Sequence, residues 1–396
     1  MNESRSYGHV IERRIFLKQL TVGAVSTSGV AHGLDVFASP ADAPQQPARP
    51  RFGAPIVRSA PSSWITHERF TMPAAGIRTD TRTATTANGD IYVGGGGFLW
   101  KSTNRGETWS QRPLPIRGGG GFGILNEDVF ILVGYSSDHT INTVRRSTDY
   151  GATWSDPVRL DIRPYDMGGG GWSHVYQHPD GTAMLTVTLR SRAQSRLFHD
   201  HIFRSKDGGR SWRQRSMLIP YSAESTLLAV QGTGRMLAYV RAQRPLLDDD
   251  PPGFWRETEA TENNPWPLKN GLLAESSDKG RTWNNARLFD TYGSVPGEVI
   301  QTPSGVIAAL WLQRYPYDEA QLRVRTSSDD GRTWSQRTHL LSKCHGYPSS
   351  VVFADGTIVT ACESTLFSTK GRPLGERSMA ALRWRLPAAD GDSTDQ

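Results

Sequence analysis

Three residues of this chain stand at one offset from a turn glycine, and all three carry polar chemistry. Counting seven back from Gly89, Gly181 and Gly305 reaches Arg82, His174 and Glu298. Arg78, Glu224 and Tyr347 lie near the equivalent starts of other alternating runs. A phenol, two carboxylates, an imidazole and two guanidiniums suffice for proton transfer and for holding an anion. Tetraglycine runs at 94–97, 118–121 and 168–171 accompany them. Such runs either leave bare backbone and room for a ligand or let neighbouring chains pack tightly.

The elements that must carry these residues are legible from five copies of one motif. They read STNRGETW from Ser102, STDYGATW from Ser147, SKDGGRSW from Ser205, SSDKGRTW from Ser276 and SSDDGRTW from Ser327. Each fits Ser-x-Asp-x-Gly-x-Thr/Ser-Trp, with Asn104 for Asp in the first. The starts are 45, 58, 71 and 51 residues apart, which is propeller-blade spacing. The Asp side chain is suited to accept backbone N–H groups two residues on, the Gly to take positive φ, and the Trp to plug the hairpin. The motif is a strand-to-strand staple, so the chemistry belongs elsewhere.

Between the motifs run short alternating stretches such as DIYVGG, TAMLTVTLR and GVIAALWLQ, bounded by Gly, Asn and Asp, and no long helical periodicity appears. The reading is all-β: a six-bladed β-propeller of four-stranded blades over 56–388, each motif joining the third and fourth strands of its blade. The paired inner runs are 82–86 and 90–93, 122–125 and 129–133, 173–177 and 183–189, 225–230 and 236–241, 298–302 and 306–312, and 347–353 and 357–362. The sixth unit ends in 379–386 without the motif. A segment around Ile56 to Phe70 supplies a strand that closes the ring. Inner strands line a central channel, so their entry ends crowd at one mouth.

The ends are read separately. Arg13-Arg14-Ile15-Phe16-Leu17-Lys18 and the apolar stretch after it resemble a twin-arginine export signal, placed at 1–38 with cleavage after Ala38. Residues 39–55 form a Pro/Ala/Gln-rich linker and 389–396 a disordered tail. The expected location is periplasmic or secreted. No run of about 18 apolar residues implies a membrane span. The net charge of +6 and pI near 9.4 weakly favour anionic ligands, without the basic stripe of a nucleic-acid binder. No Cys/His cluster asks for a metal, and no cofactor is expected. A hairpin turning at Asp355 sets Cys362 opposite residue 348 rather than Cys344, so the pairing of the two cysteines stays open.

The five motifs resemble the Asp-boxes of the sialidase (neuraminidase) superfamily of six-bladed propellers, and the resemblance covers about residues 75 to 385. That family binds a carboxylated sugar with three arginines and uses a Tyr–Glu pair as nucleophile and an Asp as acid. The segment from Tyr347 through Asp355-Gly356 to Glu363 is similar to the family's nucleophile segment, with Glu363 orienting the first arginine. Glu224 to Arg241 looks like the segment that opens on the activating Glu and closes on the second arginine. Arg314 is implied as the third, with Arg323 as alternative. Blade one departs from the family's Arg-Ile-Pro: Gly-Ile-Arg78-Thr-Asp and Thr-Arg82-Thr-Ala are both candidates for the first arginine. The loop that carries the Asp acid is collapsed to Tyr92-Val-Gly-Gly-Gly-Gly-Phe98, which leaves Asp80, Asp166 or His174 to supply a proton.

The resemblance implies catalytic Tyr347 and Glu224 and a substrate site of Arg78 or Arg82, Arg241, Arg314 and Glu363, to which the common offset from the turn glycines adds His174 and Glu298. The expected partner is a glycan or glycoside with a terminal, acidic sugar. A carbohydrate lyase, an exo-glycosidase for other sugars, and a non-catalytic glycan-binding propeller are the alternatives. In the long insertion 241–270, Phe254, Trp255 and Trp266 are candidate sugar platforms.

Overall fold

A computed structural model describes residues 63–387 apart from 74–80, 117–119, 170–171, 249–267, 291, 345 and 371. Six antiparallel sheets follow one another along the chain. Counted from the axis outward, blade one is Arg82–Thr85, Ile91–Gly95, Phe98–Ser102 and Ser110–Pro113. Blade two is Gly121–Leu125, Val129–Tyr135, Asn142–Ser147 and Val158–Arg159. Blade three is Val175–Gln177, Ala183–Arg190, His199–Ser205 and Arg213–Pro220, with Met167–Gly168 added against its second strand. Blade four is Ser222–Ala229, Met236–Arg244, Leu268–Ser276 and Asn284–Leu288. Blade five is Ser294–Gln301, Ile307–Gln313, Gln321–Ser327 and His339–Lys343.

Blade six has three strands from the end of the chain, Ser349–Val352, Ile358–Glu363 and Met379–Trp384, and its fourth, His67–Met72, from near the beginning. Six backbone partners from His67↔Trp384 to Met72↔Met379 zip that strand antiparallel. The ring therefore closes on hydrogen bonds between distant parts of the sequence. Ser63–Trp64 adds a short parallel edge to blade five. The rest of the expected closing segment, 56–62, lies outside the described residues, as do the proposed signal, linker and tail.

Burial explains the strand composition. Each second strand is covered on both faces, and Ile307–Gln313 is buried at every position. Outer strands such as Ser110–Pro113 stay mostly exposed and polar. Six hydrophobic clusters form, one between each pair of successive blades. Tyr239 and Leu273 of blade four, for example, pack with Val299, Ile307 and Trp311 of blade five. Apolar burial at this density is the main force holding blade to blade.

The five motifs occupy the turns between third and fourth strands, as their spacing predicts. Their bonding is longer-range than an Asx turn. Asp149 Oδ1 accepts the N–H of Thr153, four residues on, at 2.9 Å. The hydroxyl of Ser147 accepts the N–H of Gly151 at 2.8 Å and donates to Asp149 at 2.7 Å. Asn104 makes the same bond to the N–H of Thr108 at 3.0 Å, which is why Asn serves in the first copy. Trp283 Nε1 caps the carbonyl of Gly280 at 3.0 Å, and that glycine has φ +74°.

Two mouth glycines are packing glycines. A Cβ on Gly94 would lie 2.3 Å from Cγ of Phe122, and one on Gly121 would lie 2.6 Å from Cβ of Ser173. Blades one, two and three approach too closely there for any side chain, so at these positions the glycines serve contact between blades.

Candidate active site

Each third strand ends on the same side as its first strand ends, so the motif turns lie opposite the mouth where first strands begin. Glu224, Arg241, Arg314, Tyr347 and Glu363 all stand at first-strand starts or second-strand ends, and so on the mouth side. Tyr347 sits two residues ahead of the inner strand of blade six. Gly346 before it lies directly on Glu363, donating its N–H to the Glu363 carbonyl at 3.2 Å. A Cβ on Gly346 would be 2.0 Å from that of Glu363. Bare backbone is what lets this segment rest on the neighbouring strand and present the phenol.

The Tyr347 hydroxyl donates to Glu224 Oε1 at 3.1 Å. Arg241 Nη1 donates to the other oxygen, Oε2, and Arg241 Nη2 donates to Gln243 Oε1. The Glu224 and Arg241 side chains are only 11% and 9% exposed. Burial works against the Arg241 charge, but Glu224 and Tyr347 outweigh it and raise its pKa above the ordinary value. Tyr347 is 4% exposed, its ring 5.2 Å from that of Trp172, and the Arg314 guanidinium lies 5.4 Å from its centroid. Phenol, carboxylate and two guanidiniums are thus one constellation, drawn from blades four, five and six.

Glu224 is aimed by a bulge. Its φ is +53°, and the strand register shifts between Ala223 and Thr226. Such a bulge turns a side chain out of the strand's alternation, at a conformational cost of about 1–3 kcal/mol. Asp200 supports it from beneath. The Asp200 carboxylate accepts the Ser225 N–H at 2.8 Å and the Thr188 hydroxyl at 2.5 Å, and Thr188 Oγ1 in turn accepts the Glu224 N–H at 3.3 Å. Burial raises the Asp200 pKa, against the pull of these hydrogen bonds.

The three equal-offset residues stand on the mouth side of the inner strands, where their polar atoms bond to neighbouring blades. Arg82 is 2% exposed, lies with its guanidinium 3.4 Å from the Trp172 ring centroid, and donates to the carbonyls of Trp172 and Ser173 at 2.8 and 3.3 Å. Burial brings its pKa down to about 9, while Glu298, Glu224 and Asp200 hold it up. It anchors Trp172, which packs on Tyr347, rather than standing open to a substrate carboxylate. His174 Nδ1 accepts the Leu227 N–H at 3.0 Å, tying blade three to blade four, so the ring proton sits on Nε2. Burial, with Arg82 adding, lowers its pKa well below the usual imidazole range and keeps it neutral. Glu298 accepts the N–H of Ser350 at 3.1 Å and its hydroxyl at 2.5 Å, tying blade five to blade six.

Glu298 has a pH consequence. Burial raises its pKa to about 7, although Ser350 and Arg82 pull the other way. The folded state then keeps a proton that the unfolded chain loses near its ordinary 4.5. Stability contributed by this group is present below that value and falls as pH rises through about 7. Thermal melts across this window are expected to show a smaller decline in Glu298→Gln than in the parent; equal slopes would contradict it.

Glu363 pairs with Arg377 at 2.8 Å. Of the two arginines expected to lie against it, Arg82 gives its hydrogen bonds to carbonyls and Arg78 is outside the described residues. Arg323 faces Asp290 at 3.9 Å on the third strand of blade five, so Arg314 is the arginine at the phenol. Asp166 is exposed and accepts the Arg192 N–H at 2.8 Å as a loop cap. Arg78, Asp80, Phe254, Trp255 and Trp266 lie outside the described residues. Cys344 and Cys362 are both buried free thiols, with Ser349 opposite Ala361 as the hairpin count requires. Trp172, Asp200, Lys269 and Arg377 were missed. A lone charge in an apolar strand was the available signal for Asp200 in FHDHIF and for Lys269 in PLKNGLL.

No family model matches the chain. It is 24% identical to a xyloglucanase of Paenibacillus sp over a 282-residue alignment, which takes in 54% of this chain and only 26% of that protein. Among solved structures it resembles the Hadza microbial sialidase Hz136 with a TM-score of 0.55 at 15% identity, covering 80% of this chain and 66% of that one. It also resembles the Penicillium chrysogenum alpha-L-arabinanase complexed with arabinobiose, with a TM-score of 0.54 at 14% identity, covering 80% and 98%. The fold is thus the six-bladed propeller that sialidases and an arabinanase share, in agreement with the resemblance carried by the Asp-boxes.

Proposed function

We propose that this chain is a glycoside hydrolase in which Tyr347 is the nucleophile and Glu224 its base. The observation that carries the reading is the Tyr347 hydroxyl on Glu224 Oε1 at 3.1 Å, with Arg241 on Oε2. As the phenol oxygen bonds to the anomeric carbon, its proton passes to Glu224, the bond to the leaving oxygen breaks, and that oxygen takes a proton from solvent. Water then bonds to the anomeric carbon and gives a proton to solvent, while the carbon–phenol bond breaks and Glu224 returns its proton to the phenol oxygen. A neutral phenol suits an anionic sugar, which would repel a carboxylate nucleophile. Arg314 beside the ring and Arg241 beneath it provide the compensating charge. The likeness to sialidases, an arabinanase and a xyloglucanase supports a carbohydrate substrate. The twin-arginine-like leader supports export, and glycans outside the cytoplasm are the fitting target.

The test is a panel of 4-nitrophenyl sialosides, uronides and neutral glycosides, whose good leaving group needs no protein acid. Release of nitrophenolate with free sugar is the expected result. Release accompanied by ultraviolet absorbance of a new carbon–carbon double bond would make the protein a lyase. No turnover of any member, with binding retained, would make it a glycan-binding propeller.

A further inference from the structure

Lys269 is the second residue of the third strand of blade four, directly opposite Gln243. Facing residues of antiparallel strands project to the same side, and Arg241, two residues from Gln243, shares that side. Gln243 Oε1 is already engaged by Arg241. The Lys269 carbonyl accepts the Gly293 N–H at 2.9 Å, and the Gly293 carbonyl accepts the Arg314 N–H at 3.0 Å. Backbone hydrogen bonds therefore bring Lys269, Arg241 and Arg314 together where blades four and five meet at the mouth. Among the described residues the Lys269 ammonium makes no hydrogen bond or ion pair, though the residue is mostly buried. Arg241 Nε is also buried without a hydrogen-bond partner. Both oxygens of Glu224 are engaged, by Tyr347 and by Arg241. Glu363, behind Tyr347, pairs with Arg377 at 2.8 Å.

A buried cation without an acceptor, beside two arginines, is costly unless something anionic visits it. We propose that Lys269 is a specificity-determining residue of this site, seating the carboxylate of a sugar acid together with Arg314 and Arg241. The proposal rests on the glycosidase reading above and adds the residue that selects the acid. The titration of Lys269 agrees. Burial, then the Arg241 and Arg314 charges, bring its pKa down to about 7, against the pull of Glu224. An arriving carboxylate would raise it again, so binding takes up a proton near neutral pH.

Calorimetric titration of the full chain with N-acetylneuraminic, glucuronic and galacturonic acids, and with their methyl esters, tests this. At least one acid is expected to bind where its ester does not, with affinity falling as pH rises past the Lys269 pKa of about 7. Lys269→Met is expected to weaken that binding by about tenfold or more. Its melting temperature should be equal or higher, because a buried charge is removed. Lys269→Arg should keep the affinity and lose the pH dependence. Equal binding by Lys269→Met and parent, equal binding of acid and ester, or no acid binding at all would each overturn the proposal. Hydrolysis by Tyr347→Phe, assayed in parallel, separates the two readings. Lys269-dependent binding without Tyr347-dependent cleavage sinks the hydrolase alone, and cleavage indifferent to Lys269 sinks this inference alone.

Discussion

Replacing Tyr347 by phenylalanine will lower kcat for aryl glycoside cleavage by a factor on the order of 1,000 or more, with little change in KM. The substitution removes one oxygen. What is lost is the atom that bonds to the anomeric carbon and the proton that Glu224 receives, while the ring keeps its contacts with Trp172 and Arg314. A single hydrogen bond contributes about 0.5–1.5 kcal/mol to folding, so the fold survives. Glu224→Gln should follow the same pattern, with a loss of about 100- to 10,000-fold, because an amide cannot take the phenol proton. Combining the two should cost little more than the worse single change, since both act in one step. Steady-state kinetics on the 4-nitrophenyl panel measure all three. Full activity of Tyr347→Phe would remove the phenol from the mechanism, however the rest of the site is arranged.

Arg241→Met is expected to damage stability as well as rate. Arg241 and Glu224 are both mostly buried, so removing the guanidinium leaves a carboxylate in a water-poor place with one neutral donor, Tyr347. Breaking a buried pair from one side typically costs about 3–5 kcal/mol, more than any exposed ion pair of this protein should contribute. Melting temperature should therefore fall by several degrees, on the order of 10 °C at the upper end. The double variant Arg241→Met/Glu224→Gln should regain part of the lost stability, because the orphaned charge is gone. Additive losses in the double variant would mean that the pair is not coupled and that Arg241 acts through substrate alone.

Arg82 shows how sequence and structure divide the problem. Its offset from Gly89 correctly put it on an inner strand at the mouth side, with His174 and Glu298 in matching places. The offset carried no information about what lay over it. Trp172, from a stretch that follows a glycine run in blade three, covers the guanidinium, and two carbonyls take its donors. Glu363 shows the same limit. Its place in the segment that follows Tyr347 was legible, while Arg377, which pairs with it, stands in the next loop, where no periodicity marks it. Asp200 and Lys269 were legible only as charges in apolar strands, since a period of two says which face a residue takes but not what that face meets.

What the amino-acid order determined on its own is everything written in local repeats. Five staples with their Asp or Asn, Gly and Trp at constant offsets require third-to-fourth-strand turns, and alternating runs before them require paired inner strands. Those demands are met within a few residues, so they can be read one blade at a time. Only the tertiary structure decided which side chains meet. The Tyr347–Glu224 contact spans 123 residues and joins the entry of blade six to a bulge in blade four. That meeting depends on six sheets twisting about one axis, on glycines that let blades one to three close up, and on a first-to-last strand pairing that shuts the ring. Each of these is a long-range packing outcome, fixed by burial between blades rather than by any local preference of the chain.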